Sequence, residues 1–280
     1  MDCSIFAKET SVLLIDIEGT TTPISFVANK LFPFIKEQLD TFLYRNWYSD
    51  EVLLAIEKLK EQVNVDVECG MDSVPRIVSA KTRSQRSSFL ESVKKNVLWQ
   101  MSQDRKTTAL KYLQGLMWRE AYYSGKIKGE VFMDVKVALE KLQKQNFQIF
   151  IYSSGSVEAQ KLLFKYSEHG NMLPLFDGHF DTTIGSKREK ESYQKIAENI
   201  SCKPEQILFL TDVLQEADAA FIAGLHVCIV VRPGNKPLEK LSQYPCIKTF
   251  KSLVWWLEIT LRCKIFLALL NVLVRHSTNL

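Results

Sequence analysis

The sequence predicts an α/β fold, a doubly wound, Rossmann-like parallel sheet interrupted by an inserted all-helical domain. Three observations lead there. Short apolar runs at residues 11–15, 148–152, 207–210 and 227–231 read as strands buried on both faces. After about residue 130 these runs alternate with helical patterns, which implies parallel pairing through right-handed crossovers. Between about residues 25 and 125 helical patterns dominate, and convincing buried-strand runs are absent.

In chain order, the first strand stops at Asp16-Ile17-Glu18-Gly19-Thr20-Thr21-Thr22-Pro23, where Gly and Pro punctuate the chain. Helical periodicity then marks residues 51–59 and 107–122, with a loop expected over residues 70–84. Helices follow at 135–145, 157–166, 190–200 and 214–223, set between the strands. The expected division is an α/β core of residues 1–24 and 130–250, a helical insertion of residues 25–129, and a tail of residues 251–280.

Composition bounds the function classes. With 46% hydrophobic and 24% charged residues over 280 positions, the chain can build a real core and is not disordered. Its 36 Lys+Arg against 32 Asp+Glu make the formal charge +4, but the tail alone supplies +3 of it. The nearly neutral body therefore offers no support for nucleic-acid binding. Six scattered cysteines without a CxxC pair fit free thiols in a reducing compartment. Cys202 and Cys228 read as packing residues, as do Trp99 and Trp118, and the four histidines lack zinc-site spacing. The start, Met1-Asp2-Cys3-Ser4, lacks the basic and apolar regions of a signal peptide.

Ligands of open parallel sheets sit beyond the carboxyl ends of the strands. The residues at those ends are Asp16, Ser153-Ser154 and Asp212, and Lys187 lies in a loop between the second and third of these strands. Two carboxylates would repel each other in one cleft, so a divalent cation is the natural neutraliser. A phosphate beside that cation, Lys187 and loop amides would be well compensated.

Asp16-Ile17-Glu18-Gly19-Thr20, Tyr152-Ser153-Ser154-Gly155-Ser156, Lys187 and Leu210-Thr211-Asp212-Val213 resemble the four motifs of haloacid dehalogenase-type phosphohydrolases. The run DIEGTTTPI at residues 16–24 is similar to the hallmark of the enolase-phosphatase branch, which serves methionine salvage. Residues 104–111, 152–161 and 230–235 extend the resemblance, which covers roughly residues 10 to 250. It implies that Asp16 is a carboxylate nucleophile forming an aspartyl-phosphate and that Glu18 is the general acid/base. Most of the superfamily carries Asp at the second position; Glu is the variant expected of this branch. The resemblance further implies that Ser153, Ser154 and Lys187 bind the substrate phosphate. Asp16, the Glu18 carbonyl and Asp212 would hold one Mg²⁺ per chain, with Glu216 beside a metal-bound water.

The helical insertion is then a cap, and the substrate a small phosphorylated diketone, 2,3-diketo-5-methylthiopentyl-1-phosphate. That compound would undergo Mg-assisted enolisation and dephosphorylation to the acireductone. Two alternatives stay open: a phosphatase on another small phosphomonoester, and a non-catalytic interaction protein acting through its tail. A monomer is expected, since one chain holds the whole site. The expected place is the cytoplasm, with the nucleus as a second compartment. The tail departs from the family: 18 of its 30 residues are hydrophobic. A terminus without a specific role is the favoured reading, and an interfacial helix touching a membrane or partner is the other. The apolar run 265–274 is too short to span a bilayer, which needs about 20 residues.

Overall fold

The computed structural model describes residues 10–79, 82–237 and 243–258. The chain divides into two compact units, one of Met1–Ser25 with Gly129–Leu280 and one of Phe26–Lys128.

The first unit carries a six-stranded, all-parallel sheet in the order β3-β2-β1-β4-β5-β6. Its first strand, β1 (Val12–Ile15), is buried at all four positions because it lies at the centre, between β2 and β4. The elements after the insertion are α6 (Met133–Lys144), β2 (Gln148–Tyr152), α7 (Val157–Lys165) and β3 (Gly178–Phe180). They are followed by α8 (Lys190–Asn199), β4 (Ile207–Thr211), α9 (Leu214–Ile222), β5 (His226–Val230) and β6 (Cys246–Ile247). In register, Ile15 faces Ile151 on one side and Leu210 on the other. Alternate strand residues, among them Leu14, Tyr152, Phe209 and Ile229, form one core with Tyr193 and Ile196 of α8 and Ala217 and Ala220 of α9. The chain leaves β1 for β2 and β3, then crosses back to β4 on the other side of β1. That reversal opens a crevice at the carboxyl ends of β1 and β4.

Two strands escape the sequence patterns. β3 and β6 are three and two residues long and sit at the sheet edges, where no double-sided burial stamps an apolar run on the sequence. Residues 251–258 continue as helix, with Leu253, Val254 and Leu257 buried and the Gln145 amide bonded to Glu258 at 3.1 Å. The apolar run 265–274, Cys3, Cys263, His276 and the first four residues lie outside the described residues.

The second unit is helical. A short turn α1 (Ile24–Phe26) and a π-helical segment Val27–Leu31 lead into α2 (Phe32–Asn46), followed by α3 (Asp50–Glu68), α4 (Arg86–Ser102) and α5 (Thr108–Tyr123). Ser49 caps α3 by accepting from Val52 N–H at 3.3 Å, and Thr107 caps α5 by accepting from Leu110 N–H at 3.2 Å. Their apolar stripes meet in one core that includes Leu39, Ile56, Val93 and Leu113. Trp118 packs against that core and donates its indole N–H to the Leu31 carbonyl at 3.1 Å.

The motif at residues 104–111 is explained inside this unit. Asp104 takes a left-handed turn (φ 48°), and Arg105 then grips the buried Asp66 carboxylate with both Nη atoms. Thr107 donates to Gln100, Gln100 to Asn96, and Asn96 to the Pro75 carbonyl, at 2.7, 2.8 and 2.9 Å. These residues order the α4–α5 turn and the loop after α3.

Candidate active site

The site grows out of the β1 terminus. Asp16 is the first residue past the strand, its N–H held by the Leu210 carbonyl at 2.9 Å and its side chain buried. The chain then folds into a tight loop around one acceptor: the Ile17 carbonyl receives the N–H groups of Thr20, Thr21 and Thr22 at 3.2, 2.9 and 2.9 Å. The loop closes through Gly19 N–H to the Thr22 carbonyl at 2.8 Å. Asp16 thus faces inward while Glu18, two residues on, is exposed.

Gly19 is required at its position for two reasons. Its φ is +76°, and a Cβ there would lie 2.3 Å from Asp212 Oδ2. The absence of that carbon lets the carboxylate at the end of β4 rest against the loop that carries Asp16. The crevice thereby brings Asp16 and Asp212 to the two strand ends flanking the switch point.

Lys187 supplies the positive charge. It is buried, and its Nζ lies 2.6 Å from Asp16 Oδ1 and 2.6 Å from Glu216 Oε2. Tyr193 fixes the lysine backbone by donating its phenol to the Lys187 carbonyl at 2.7 Å. Glu216 is oriented a second time by the Thr211 hydroxyl at 2.9 Å. The structure therefore gives Glu216 an engagement that the sequence does not display: it holds Lys187 from the first turn of α9.

Ser153 and Ser154 follow β2. Ser153 is buried, and its N–H already donates to the Phe180 carbonyl at 3.2 Å, so its hydroxyl is the atom left for a ligand. That hydroxyl accepts from Gly155 N–H at 3.3 Å, and Ser154 next to it is exposed. Ser156 caps α7 by accepting from Ala159 N–H at 3.3 Å. A helix start with oriented amides is suited to an anion.

Electrostatics follow from burial. Asp16 is pushed up to about 7, first by desolvation, with Lys187 pulling the other way and Glu216 and Asp212 adding repulsion. Asp212 is pushed up to about 6 by desolvation and by the Glu216 and Glu18 charges. Burial alone would lower Lys187, but the attraction of Asp16 and Glu216 outweighs it and holds the ammonium charged. Asp16, Asp212 and Glu216 thus leave negative charge in excess over one lysine.

The donor set fits Mg²⁺. All candidate ligands are hard oxygens, negative charge is in excess, and the space over Gly19 is kept for a carboxylate. Among the described residues no three His, Cys, Asp or Glu side chains form a metal cage. Mg²⁺ needs none, since it takes one or two carboxylates and completes its shell with water and phosphate oxygens.

Thr211, Tyr193, Arg232 and Asn235 are parts of the site that the strand-end reasoning missed. Arg232 and Asn235 belong to the quoted run 230–235, but only folding shows that they reach the Asp16 loop, to the Thr20 and Gly19 carbonyls at 3.0 and 2.9 Å.

Known proteins agree with this architecture. A sequence model of haloacid dehalogenase-like hydrolases matches residues 10–224. Enolase-phosphatase E1 of Danio rerio is 51% identical over 248 residues, 88% of this chain and 95% of that one. Enolase-phosphatase E1 of Salmo salar is 50% identical over 246 residues, 87% and 94% of the two chains. Among solved structures, the UTR4 protein of Saccharomyces cerevisiae superposes with a TM-score of 0.68 at 31% identity, covering 87% of this chain and 99% of that one. With its Asp16 loop, lysine and strand-end carboxylates in the family's order, this chain belongs to the haloacid dehalogenase-like hydrolases, within the enolase-phosphatase E1 family.

Proposed function

We propose that the chain is a bifunctional enolase-phosphatase that converts 2,3-diketo-5-methylthiopentyl-1-phosphate to the acireductone. The observation that carries this reading is the buried Asp16–Lys187 pair, 2.6 Å apart, with Glu18 exposed two residues later. The buried carboxylate is held beside a lysine for attack on phosphorus, and the exposed one can exchange a proton with substrate or solvent.

Haloacid dehalogenase-like hydrolases and enolase-phosphatases are generally Mg²⁺-dependent. Asp16, the Glu18 carbonyl and Asp212 would hold the ion, which when bound offsets the charge of the phosphate and of the carboxylates around it. Lys187 steadies Asp16 and balances charge on the transferring phosphoryl group. The Ser153 hydroxyl and Ser154 hold the phosphate oxygens. Glu18 takes the proton from carbon in the enolisation, and the C–H electron pair moves into the new C=C bond as the adjacent carbonyl becomes an enolate oxygen. In the transfer step an Asp16 oxygen bonds to phosphorus, the ester P–O bond breaks, and Glu18 returns a proton to the leaving oxygen. Water then attacks the aspartyl-phosphate, giving up a proton to Glu18 and releasing inorganic phosphate. The helical insertion, on this reading, is the cap that selects the substrate and excludes water.

The test is a Mg²⁺-dependent assay on the diketo phosphate, following enol absorbance and phosphate release, with EDTA and Asp16→Asn as controls. Both signals are expected from the native chain, with loss of at least about a thousandfold in Asp16→Asn. Phosphate release from other phosphomonoesters without the enol signal would leave a general phosphatase. Full turnover by Asp16→Asn would refute the aspartyl-phosphate route.

A further inference from the structure

The loop that carries Asp16 and Glu18 ends in three backbone carbonyls that its own turn does not use. Thr21 O accepts from Phe132 N–H at 2.9 Å. The other two are taken from one distant turn: Arg232 Nε donates to Thr20 O at 3.0 Å, and Asn235 Nδ2 donates to Gly19 O at 2.9 Å. We propose that Arg232 and Asn235 are positioning residues that clamp the Gly19–Thr20 backbone and so hold Asp16 and Glu18 in their reacting geometry. The inference rests on the reading of Asp16 and Glu18 as the reacting pair and deepens it.

The geometry of the donors argues for a built clamp. Arg232-Pro233-Gly234-Asn235 is a β-turn closed by Asn235 N–H to Arg232 O at 3.2 Å. Proline at its second position and glycine at φ +90° in its third are the residues a type II turn demands. The first and fourth residues of such a turn lie within about 7 Å of each other, so one rigid turn presents two donors to two successive carbonyls.

Arg232 is itself immobilised. It is buried, its guanidinium lies 4.4 and 5.2 Å from the centres of the Phe132 and Phe250 rings, and its Nη1 reaches Asp134 Oδ2 at 3.0 Å and the Lys248 carbonyl at 3.2 Å. Asp134 Oδ2 also accepts from Phe250 N–H at 2.6 Å, which ties α6 and the segment after β6 into the same node. A surface turn with no task would not need a buried cation with three hydrogen bonds and two ring contacts. Both residues reach the loop through its main-chain carbonyls, so their action is on the backbone.

The experiment uses the full chain and three variants. Arg232→Met keeps an apolar stem beside the two rings without a donor, Arg232→Lys restores the charge, and Asn235→Leu removes the second donor at a half-buried position. With Mg²⁺ and p-nitrophenyl phosphate, kcat per active site, counted from phospho-enzyme burst size, is expected to fall about 10- to 100-fold in Arg232→Met and Asn235→Leu. KM is expected to stay within about threefold, with Arg232→Lys intermediate. Hydrogen exchange of the Gly19–Thr22 amides is expected to speed up in both variants, while Val12–Ile15 stays protected. Loss of active chains with unchanged kcat per site, or unchanged exchange at Gly19–Thr22, would overturn the clamp. Should Arg232→Met fail to fold, Asn235→Leu decides alone. A native chain that released no phosphate would refute the functional reading, and the exchange pattern would still support or overturn the clamp.

Discussion

Asp16 is a carboxylate whose environment pulls in two directions. Desolvation pushes it up to about 7, and Lys187 at 2.6 Å opposes that rise. A cation beside Asp212 would act in the same sense as the lysine and favour the ionised form of Asp16. Residue-scale burial also makes His179 a measurable acid-sensitive group. Desolvation, then the Lys161 charge, lowers it to about 4 in the fold, where its Nδ1 lies 3.2 Å from Gln160 Oε1. An unfolded histidine titrates near about 6.5, so between these values the unfolded chain binds the extra proton. Its contribution to stability is full above about 6.5 and fades as the pH falls towards 4. Melting temperature should drop over that range less steeply in His179→Gln than in the native chain; parallel curves would exclude this histidine as a cause.

At the scale of elements, the helical unit shows how a polar motif can be structural. The Asp66–Arg105 pair joins α3 to the α4–α5 turn, and the hydrogen bonds from Arg105 hold the Asp66 carboxyl below its ordinary range. Arg105 also lies over the Trp99 ring at 5.2 Å. Replacing Arg105 with Leu strands a buried carboxylate and should cost about 2–4 kcal/mol of unfolding free energy. Asp66→Asn in the same chain should recover part of that loss. Denaturant titration measures both, and a cost below about 0.5 kcal/mol for Arg105→Leu would show that the pair is incidental. Read as sequence, residues 104–111 carry a motif without a role, because the partner Asp66 is 39 positions upstream. The strands behave differently. β1, β2, β4 and β5 announce themselves because burial on both faces forces consecutive apolar residues, whereas the edge strands β3 and β6 carry no such mark.

For the whole molecule, the end of the described chain belongs to the fold. Leu253, Val254 and Leu257 are buried, and each such side chain is worth about 1.5–3 kcal/mol when removed from water. A chain ending at Phe250 should therefore melt roughly 5 °C or more below one ending at Glu258. Equal melting of the two would show that this helix contributes nothing. The α/β class and the central strands were legible in the sequence, as were the polar residues Asp16, Ser153 and Asp212 at the strand ends, because burial on both faces and the end of an apolar run are local and written in neighbouring residues. Glu18 and Lys187 stood out only through the resemblance of their motifs to a family. It took the folded chain to show that Glu216 holds Lys187, that Gly19 yields its space to Asp212, and that Arg232 and Asn235 reach back more than 200 positions to the loop after Asp16. Those contacts depend on the strand order, which brings the β1, β4 and β5 ends together, and no local pattern records that order.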